Sequence, residues 1–239
     1  MLQPQVDIPG IPWKPNPVSA ITIGEKARIP AWVVDLGSFR RWAHSEEYPD
    51  HGWFSYLHGE LWVDVGMEQL FSHNLVKTEL TAVLGGLVKS RQLGYFFSDR
   101  ALLSNPEADL STEPDGMFVS WEAIRTGRVR LVKGMKEGYV ELEGSPDVVL
   151  EVVSPNSIHK DTELLPPLYW RAKIAEYWLV DARGQSPRFE IFHHTSQEYR
   201  ALLDELGRPR SGIFNGVFQL TQQADPLGHP QYTLTTVPQ

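Results

Sequence analysis

Residues 145–181 constrain the fold of this chain more than any other stretch. The stretch opens with an apolar, valine-rich run over residues 148–153 that only Glu151 interrupts. A short β-branched run bounded by prolines predicts a buried strand. Turn residues follow, then a helix that begins near Pro166 and Pro167, since prolines fit only a first turn. A second strand is predicted over residues 176–181, so the stretch indicates an α/β core.

Glu151 stands out because its strand is predicted to bury most of its side chains. An ionised carboxylate there costs several kcal/mol unless a partner, hydrogen bonds or a metal compensates. The run alone fits a functional carboxylate no better than a glutamate that faces solvent or one that an arginine neutralises. A second acid upstream, Asp115, follows Pro114 and begins a strand predicted over residues 116–120. If the two strands are neighbours, both carboxylates face one cavity. Asp147 shares a face with Glu151 and is the alternative first acid, ranked below Asp115.

The remaining patterns complete a mixed α/β fold. Alternating residues predict a hairpin over residues 52–65 that turns at His58 and Gly59. Apolar residues at helical spacing predict a long helix from Ser72 that stops before Gly94. We therefore expect a mixed central sheet flanked by helices, in one domain over residues 31–222. A proline-rich N-terminal arm is predicted over residues 1–30 and a C-terminal tail over residues 223–239. Further strands are predicted over residues 94–98, 188–193, 199–203 and 217–220.

Composition removes several classes of protein. The chain has 239 residues, of which 41% are hydrophobic, and it contains no cysteine. Disulfides, thiol catalysis and cysteine-ligated metals are therefore excluded. No apolar run is long enough for a membrane span, and the first residues do not match a secretory signal, so a cytoplasmic location is expected.

The net charge of −8 argues against a broadly basic nucleic-acid binder. Residues 121–137 are nevertheless locally basic, with Arg125, Arg128, Arg130, Lys133 and Lys136. They predict either a solvated charged loop or a basic lip beside the acidic site.

The carboxylate pair is the chemistry that remains. The sequence has no phosphate-binding glycine loop, no Rossmann glycine pattern, no G-x-S-x-G elbow and no H-E-x-x-H motif. Two carboxylates suit Mg²⁺ or Mn²⁺, which keep open positions for water and a substrate phosphate. Such an ion lowers the pKa of an attacking water, and a neighbouring lysine would orient or deprotonate that water.

The sequence PDVVLEVVSPNS, followed by Asp161, Tyr169 and AEYWLVD, resembles the Uma-two family of "putative restriction endonucleases". The resemblance covers about residues 38–200 and includes the hairpin HGELWVDV, His73 and the strand EPDGMFVS. It implies a restriction-endonuclease-like core of the PD-(D/E)XK type that acts on DNA. It also implies that Asp115 and Glu151 hold Mg²⁺ or Mn²⁺. By analogy with duplex-cutting enzymes of this fold, a homodimer is expected.

The chain departs from the family pattern at the catalytic lysine. The superfamily places it two residues after the glutamate, where this chain has Val153, and the family places it where this chain has Leu165. Lys160 or Lys173 would substitute by reaching in from another backbone position. Two functions therefore stay open, which are a metal-dependent nuclease and a catalytically degenerate nuclease fold that serves as a binding or assembly protein.

Overall fold

The structure is a computed structural model that describes residues 20–24, 26–135 and 138–238. Most of the predicted N-terminal arm (residues 1–19) and Lys136 of the basic stretch lie outside the described residues. The strands are β1 (Ala20–Ile23), β2 (Ala27–Pro30), β3 (Trp53–Leu57), β4 (Glu60–Asp64), β5 (Gly94–Ser98), β6 (Leu102–Asn105), β7 (Leu110–Thr112), β8 (Gly116–Ser120), β9 (Val129–Lys133), β10 (Tyr139–Gly144), β11 (Val148–Val152), β12 (Glu176–Asp181), β13 (Arg188–His194), β14 (Tyr199–Ala201), β15 (Arg210–Ser211), β16 (Gly216–Ala224) and β17 (Pro230–Pro238).

The α-helices are α1 (Leu36–Ala43), α2 (Val76–Ser90), α3 (Trp121–Arg125) and α4 (Leu165–Arg171). A π-helical turn, Leu70–Leu75, leads into α2, and a second one, Lys160–Leu164, leads into α4. A short 3₁₀ turn, Pro106–Ala108, joins β6 to β7. No helix in the described part of the chain is long and apolar enough to cross a membrane.

The described residues form a central mixed sheet in the order β14-β13-β12-β11-β8-β5. The strand with Glu151, β11, pairs in parallel with β12, and the α4 connection links these two strands. On its other side β11 pairs antiparallel with β8, which follows Asp115. The prediction of a mixed α/β sheet with helices on both faces is confirmed, with α2 packed on one face and α4 on the other.

A second sheet, in the order β4-β3-β7-β6-β10-β9, packs against the central one. Buried side chains from both sheets and from α4 form one apolar cluster, which includes Leu103, Leu110, Val149 and Tyr169. The sequence analysis expected one sheet, and it found the β3–β4 hairpin of the second. The central sheet is therefore covered on this face by strands as well as by α4.

The two ends of the domain are also built from strands. Strands β1 and β2 pair antiparallel, and Ala27 and Ile29 pack in a cluster with Phe39 and Trp42. The predicted C-terminal tail differs most from the structure, because β17 pairs along its full length with β16. Tyr232 of that strand is buried in the cluster under α2.

The basic stretch is neither a loop nor a lip of the acidic site. Its residues form α3 and β9, and their charges are satisfied locally. Arg125 pairs with Glu122 one helical turn away, Arg128 pairs with Asp147, and Arg130 pairs with Glu143 directly across the β9–β10 ladder. The described arginines of this stretch are therefore already neutralised by their neighbours.

Candidate active site

Asp115 and its neighbours line a cavity of about 350 Å³ between the central sheet and the β3–β4 hairpin. The floor is made by Asp115 and by Val152 at the end of β11. The turn after β11 and the first π-helical residues, Lys160 and Asp161, close one side. Most of the titratable residues of the predicted site therefore meet at one end of the β8–β11 pair.

The ladder between β8 and β11 brings Asp115 and Glu151 together. The paired residues run from Val148 opposite Phe118 to Leu150 opposite Gly116. One further step along an antiparallel ladder places Glu151 opposite Asp115. The Val152 N–H donates to Asp115 Oδ2 over 2.8 Å, which fixes the first carboxylate against the second strand.

Asp115 is held ionised although it is buried. Burial raises the pKa of its carboxyl, but cationic neighbours and the Val152 N–H outweigh that effect and leave the pKa below its ordinary value. His73 Nε2 lies 3.6 Å from Oδ2, and Lys77 Nζ lies 3.5 Å from Oδ1. An ionised carboxylate at this point is a ready ligand for a hard cation.

The pKa of Glu151 is shifted in the opposite direction to that of Asp115. Burial raises the pKa of its carboxyl well above the ordinary range, and the charges of Asp161 and Asp115 raise it further. Lys160 and the Tyr169 hydroxyl, which donates to Oε1 over 2.5 Å, lower it only in part. The carboxyl is therefore harder to ionise than that of an ordinary glutamate.

Lys160 is the sequence-predicted lysine that reaches this site. Its side chain is 12% exposed, and its Nζ lies 3.9 Å from Glu151 Oε2 and 3.2 Å from Asp161 Oδ1. Burial lowers its pKa, but the surrounding carboxylates raise it more, so the group stays an ammonium. Lys160 is thus suited to orient an anion or a water molecule and not to take up a proton from it.

Asp161 is the third carboxylate of the site. It accepts from the Ser157 hydroxyl at 2.5 Å, while its Oδ1 has no hydrogen bond of good geometry despite the nearby ammonium. Burial raises the pKa of Asp161 to about 6. A buried carboxylate oxygen without a hydrogen bond shows that the negative charge here is not fully compensated.

The structure adds a lysine and a glutamate that the sequence analysis did not assign to the site. Lys77 lies one helical turn after His73, and it pairs with Glu68, with Asp99 at 3.2 Å and with Asp115. His73 Nδ1 also contacts Glu68 Oε1 at 2.8 Å. A histidine and a lysine at i and i+4 share a helix face, and this spacing was the available signal.

Lys173 and the alternative acids lie away from the cavity. Lys173 occupies a left-handed backbone position at the end of α4 and pairs with Glu107 at 2.9 Å, with its side chain 70% exposed. The interpretation of Lys173 as a substitute lysine is therefore not supported by its position. Asp147 accepts from the Ser120 N–H at 2.7 Å and pairs with Arg128, at the other end of β11. Glu79 accepts from the Leu234 N–H, which ties α2 to β17.

Leu165, which stands where the family pattern has its lysine, is fully buried in the apolar cluster between the sheets. Pro166 and Pro167 follow it at the N-terminal end of α4, directly after the π-helical turn. The position has become part of the core.

The donor set fits a divalent cation that takes few protein ligands. Among the described residues no three histidine, aspartate or glutamate side chains are arranged to enclose a metal ion. Mg²⁺, however, is commonly held by one or two carboxylates and completes its shell with water and substrate phosphate. The raised pKa of Glu151 and the unsatisfied Asp161 oxygen mark a place where added positive charge would be stabilising.

Comparison with known proteins agrees with this architecture. The mixed sheet, with a carboxylate pair and a lysine at one end, defines a nuclease-like α/β protein. A sequence model described as "Putative restriction endonuclease", that of the Uma2 (Uma-two) family, matches residues 38–220. The chain belongs to this family.

One solved structure with a similar fold is described as "a putative nuclease belonging to DUF820" from Anabaena variabilis. It aligns with a TM-score of 0.54 and 18% identity, and the match covers 76% of this chain and 90% of that one. At this identity the likeness concerns the fold alone. No curated protein sequence matches the chain.

Proposed function

We propose that the protein is a metal-dependent phosphodiesterase that cleaves DNA at the cavity lined by Asp115, with Glu151, which precedes the lining residue Val152, buried beside it. The observation that carries the proposal is the register of the β8–β11 ladder, which ends at Leu150 opposite Gly116, so that Glu151 and Asp115 are the next residues on the two strands. Lys160 Nζ lies 3.9 Å from Glu151 Oε2. Membership of a family of restriction-endonuclease type supports the same reaction class.

In this proposal Asp115 and Glu151 hold Mg²⁺ or Mn²⁺. The bound ion would neutralise charge on the scissile phosphate and lower the pKa of a water molecule. Asp115 is prepared for this role because His73 and Lys77 keep it ionised. Glu151 would ionise when the ion is added, because the ion supplies the positive charge that its surroundings lack.

Lys160 would act as a fixed ammonium beside the reacting phosphate. Its carboxylate neighbours keep its pKa above the ordinary value, so it would donate hydrogen bonds to a phosphate oxygen or to the attacking water. It would take the role of the catalytic lysine that the family and superfamily patterns place at the positions of Leu165 and Val153, and it would do so from a different position in the chain. Lys77 would act indirectly, by holding Asp115 in place.

The test is cleavage of supercoiled plasmid and of single-stranded circular DNA with Mn²⁺ or Mg²⁺. We expect metal-dependent cleavage of at least one substrate by the wild type. Asp115→Asn and Glu151→Gln should each lower the rate at least about 100-fold, the scale of one lost electrostatic catalytic group. Glu163→Gln is the matched control, because Glu163 is exposed and only pairs with His159.

A second function is favoured by one observation, the burial of Leu165 at the family's lysine position. A catalytically degenerate fold that binds or assembles with a partner would show no cleavage by the wild type with either metal. Cleavage that persists in Glu151→Gln would contradict the assignment of the site itself.

The setting of the enzyme is part of the proposal. We place it in the cytoplasm, and we expect a homodimer by analogy with duplex cutters of this fold. Sedimentation of the purified chain tests the dimer, and a single monomeric species at micromolar concentration would contradict it.

A further inference from the structure

The β3–β4 hairpin presents two tryptophans to the cavity. Its register places Trp53 opposite Asp64 and Ser55 opposite Trp62, so all four side chains share one face. All four line the cavity with Asp115. The other face, with Phe54, packs into the apolar cluster around α1. Trp62 also packs partly against the apolar cluster between the sheets, but both indoles are only half-buried and both line the cavity.

The two indole rings are set apart from each other. Trp53 and Trp62 are diagonal neighbours in the ladder, a relation that separates their backbones by about 7–8 Å. Among the described residues they make no ring contact with each other. Trp62 lies 6.3 Å from the His159 ring, and the Arg100 guanidinium lies 5.8 Å over Trp53. Each ring therefore has one neighbour beside it, and a flat ring would stack on the part of the indole that lines the cavity.

The charges around the cavity do not suit a duplex backbone. The cavity is lined by five carboxylates, which are Asp64, Glu68, Glu113, Asp115 and Asp161, against one lysine and one histidine. The described arginines of the basic stretch are paired elsewhere. Proteins that grip duplex DNA draw most of their affinity from phosphate contacts made by lysine and arginine. Lys77, which pairs with Asp115, and Arg100, which lies over Trp53, add two cations beside the cavity, and the carboxylates still outnumber the cations.

We propose that the Trp53–Trp62 face binds an unpaired nucleobase, so that the preferred substrate is a single strand or a strand with an extruded base at the cleavage site. Base stacking on aromatic side chains supplies part of the affinity for a single strand and requires no sequence selectivity. The cavity volume of about 350 Å³ falls in the range of pockets that enclose a small ligand. The inference rests on the proposed function, because the proposed metal ligand Asp115 lines the same cavity.

The test is the fluorescence anisotropy of three labelled probes in Ca²⁺, an oxygen-liganded stand-in for Mg²⁺. The probes are a short oligothymidylate, its duplex with oligoadenylate and a single strand of equal length with abasic sites. We expect the oligothymidylate to bind tightest. Trp53→Ala and Trp62→Ala should weaken its binding by roughly 5- to 150-fold, the range found for loss of one stacked base. Equal or tighter binding of the duplex or of the abasic strand would overturn the inference.

Two variants control for lost folding. Trp62→Phe keeps an aromatic ring and should retain most of the affinity for the oligothymidylate. If Trp62 were only structural, its loss would weaken binding of the oligothymidylate and of the abasic strand equally. Trp32→Ala removes an indole that is 46% exposed outside the cavity, and it should bind as the wild type does. Loss of binding in Trp32→Ala equal to that in Trp62→Ala would count against the stacking role.

The outcomes separate this inference from the proposed function. Duplex cleavage that survives in both tryptophan variants would refute the base-stacking role and leave the nuclease assignment intact. Tryptophan-dependent binding of single strands by a wild type that cleaves nothing would refute the nuclease assignment and leave the base-stacking role intact.

Discussion

Removal of the Lys160 ammonium should destabilise the fold in a pH-dependent manner. Its Nζ lies within 4 Å of Asp161 and Glu151, both of which are about 1% exposed. Removing one partner of a buried ion pair costs about 3–5 kcal/mol, because the charge that is left has no compensation. For a domain of this size, about 1 kcal/mol corresponds to 2–4 °C in Tm, so Lys160→Met should lower Tm by roughly 6–20 °C at pH 8.

The sign of the pH effect follows from the raised pKa of Asp161. That pKa is about 6, against 3.8 for an ordinary aspartate, so Asp161 is protonated in the folded protein at pH 5 and ionised at pH 8. A protonated Asp161 needs no cation, and the cost of Lys160→Met should therefore shrink as the pH falls through 6. The assay is thermal unfolding with EDTA at pH 5 and pH 8.

Lys173→Met is the matched control for this experiment. Its partner Glu107 is as exposed as Lys173 is, and surface ion pairs contribute about 0–1 kcal/mol. The reasoning is refuted if Lys160→Met and Lys173→Met unfold alike at pH 8, or if the loss in Lys160→Met is equal at both pH values.

Three further changes test separate parts of the account. Glu151→Gln in EDTA should cost less than about 1 kcal/mol in urea unfolding, since this buried carboxyl already has a raised pKa; a larger loss would mean that ionised Glu151 stabilises the metal-free fold. Leu165→Lys should lower stability by several kcal/mol and should not raise cleavage above the wild-type rate, because it buries a charge in the core, and a rise in cleavage would contradict this placement. Glu176→Ala should cost about 3–5 kcal/mol, because Glu176 accepts from Ser211 and the Gly212 N–H; a change below about 1 kcal/mol would contradict that role.

The central stretch was predictable because its local signals agree with its tertiary surroundings. The valine-rich run around Glu151 is buried on both faces, as a strand shared between two apolar clusters must be. The β3–β4 hairpin was predictable from the alternation of Leu61 and Val63 and from its turn at His58 and Gly59, although burial does not alternate along its two strands. Asp115 and Glu151 could be proposed as a pair from strand order alone, although the positions of their two strands in the sheet could not.

The second sheet was missed because its polar residues pair with each other across strands. In β9 and β10, Arg130 faces Glu143, and Arg40 of α1 adds a second cation to that carboxylate. In the sequence these charges look like a solvated loop, since a charged residue and its partner on another strand are far apart along the chain. The same limit applies to β17, whose many polar residues hide its pairing with β16.

The choice between the two candidate lysines also required three-dimensional information. Lys160 lies in the π-helical turn that begins just after the turn following β11, which brings it back over Glu151. Lys173 lies at the end of α4, one helix length further on, and pairs with Glu107. Sequence spacing treats both as near the site, whereas the direction of the helix separates them.

The most direct test of the central claim is calorimetric titration of Mn²⁺ into the wild type and into Glu151→Gln, with and without an oligothymidylate. The account predicts about one ion bound per chain by the wild type, a loss of that binding in Glu151→Gln and its retention in Glu163→Gln. No binding by the wild type under either condition, or equal binding by Glu151→Gln, would contradict the assignment of Asp115 and Glu151 as the metal site.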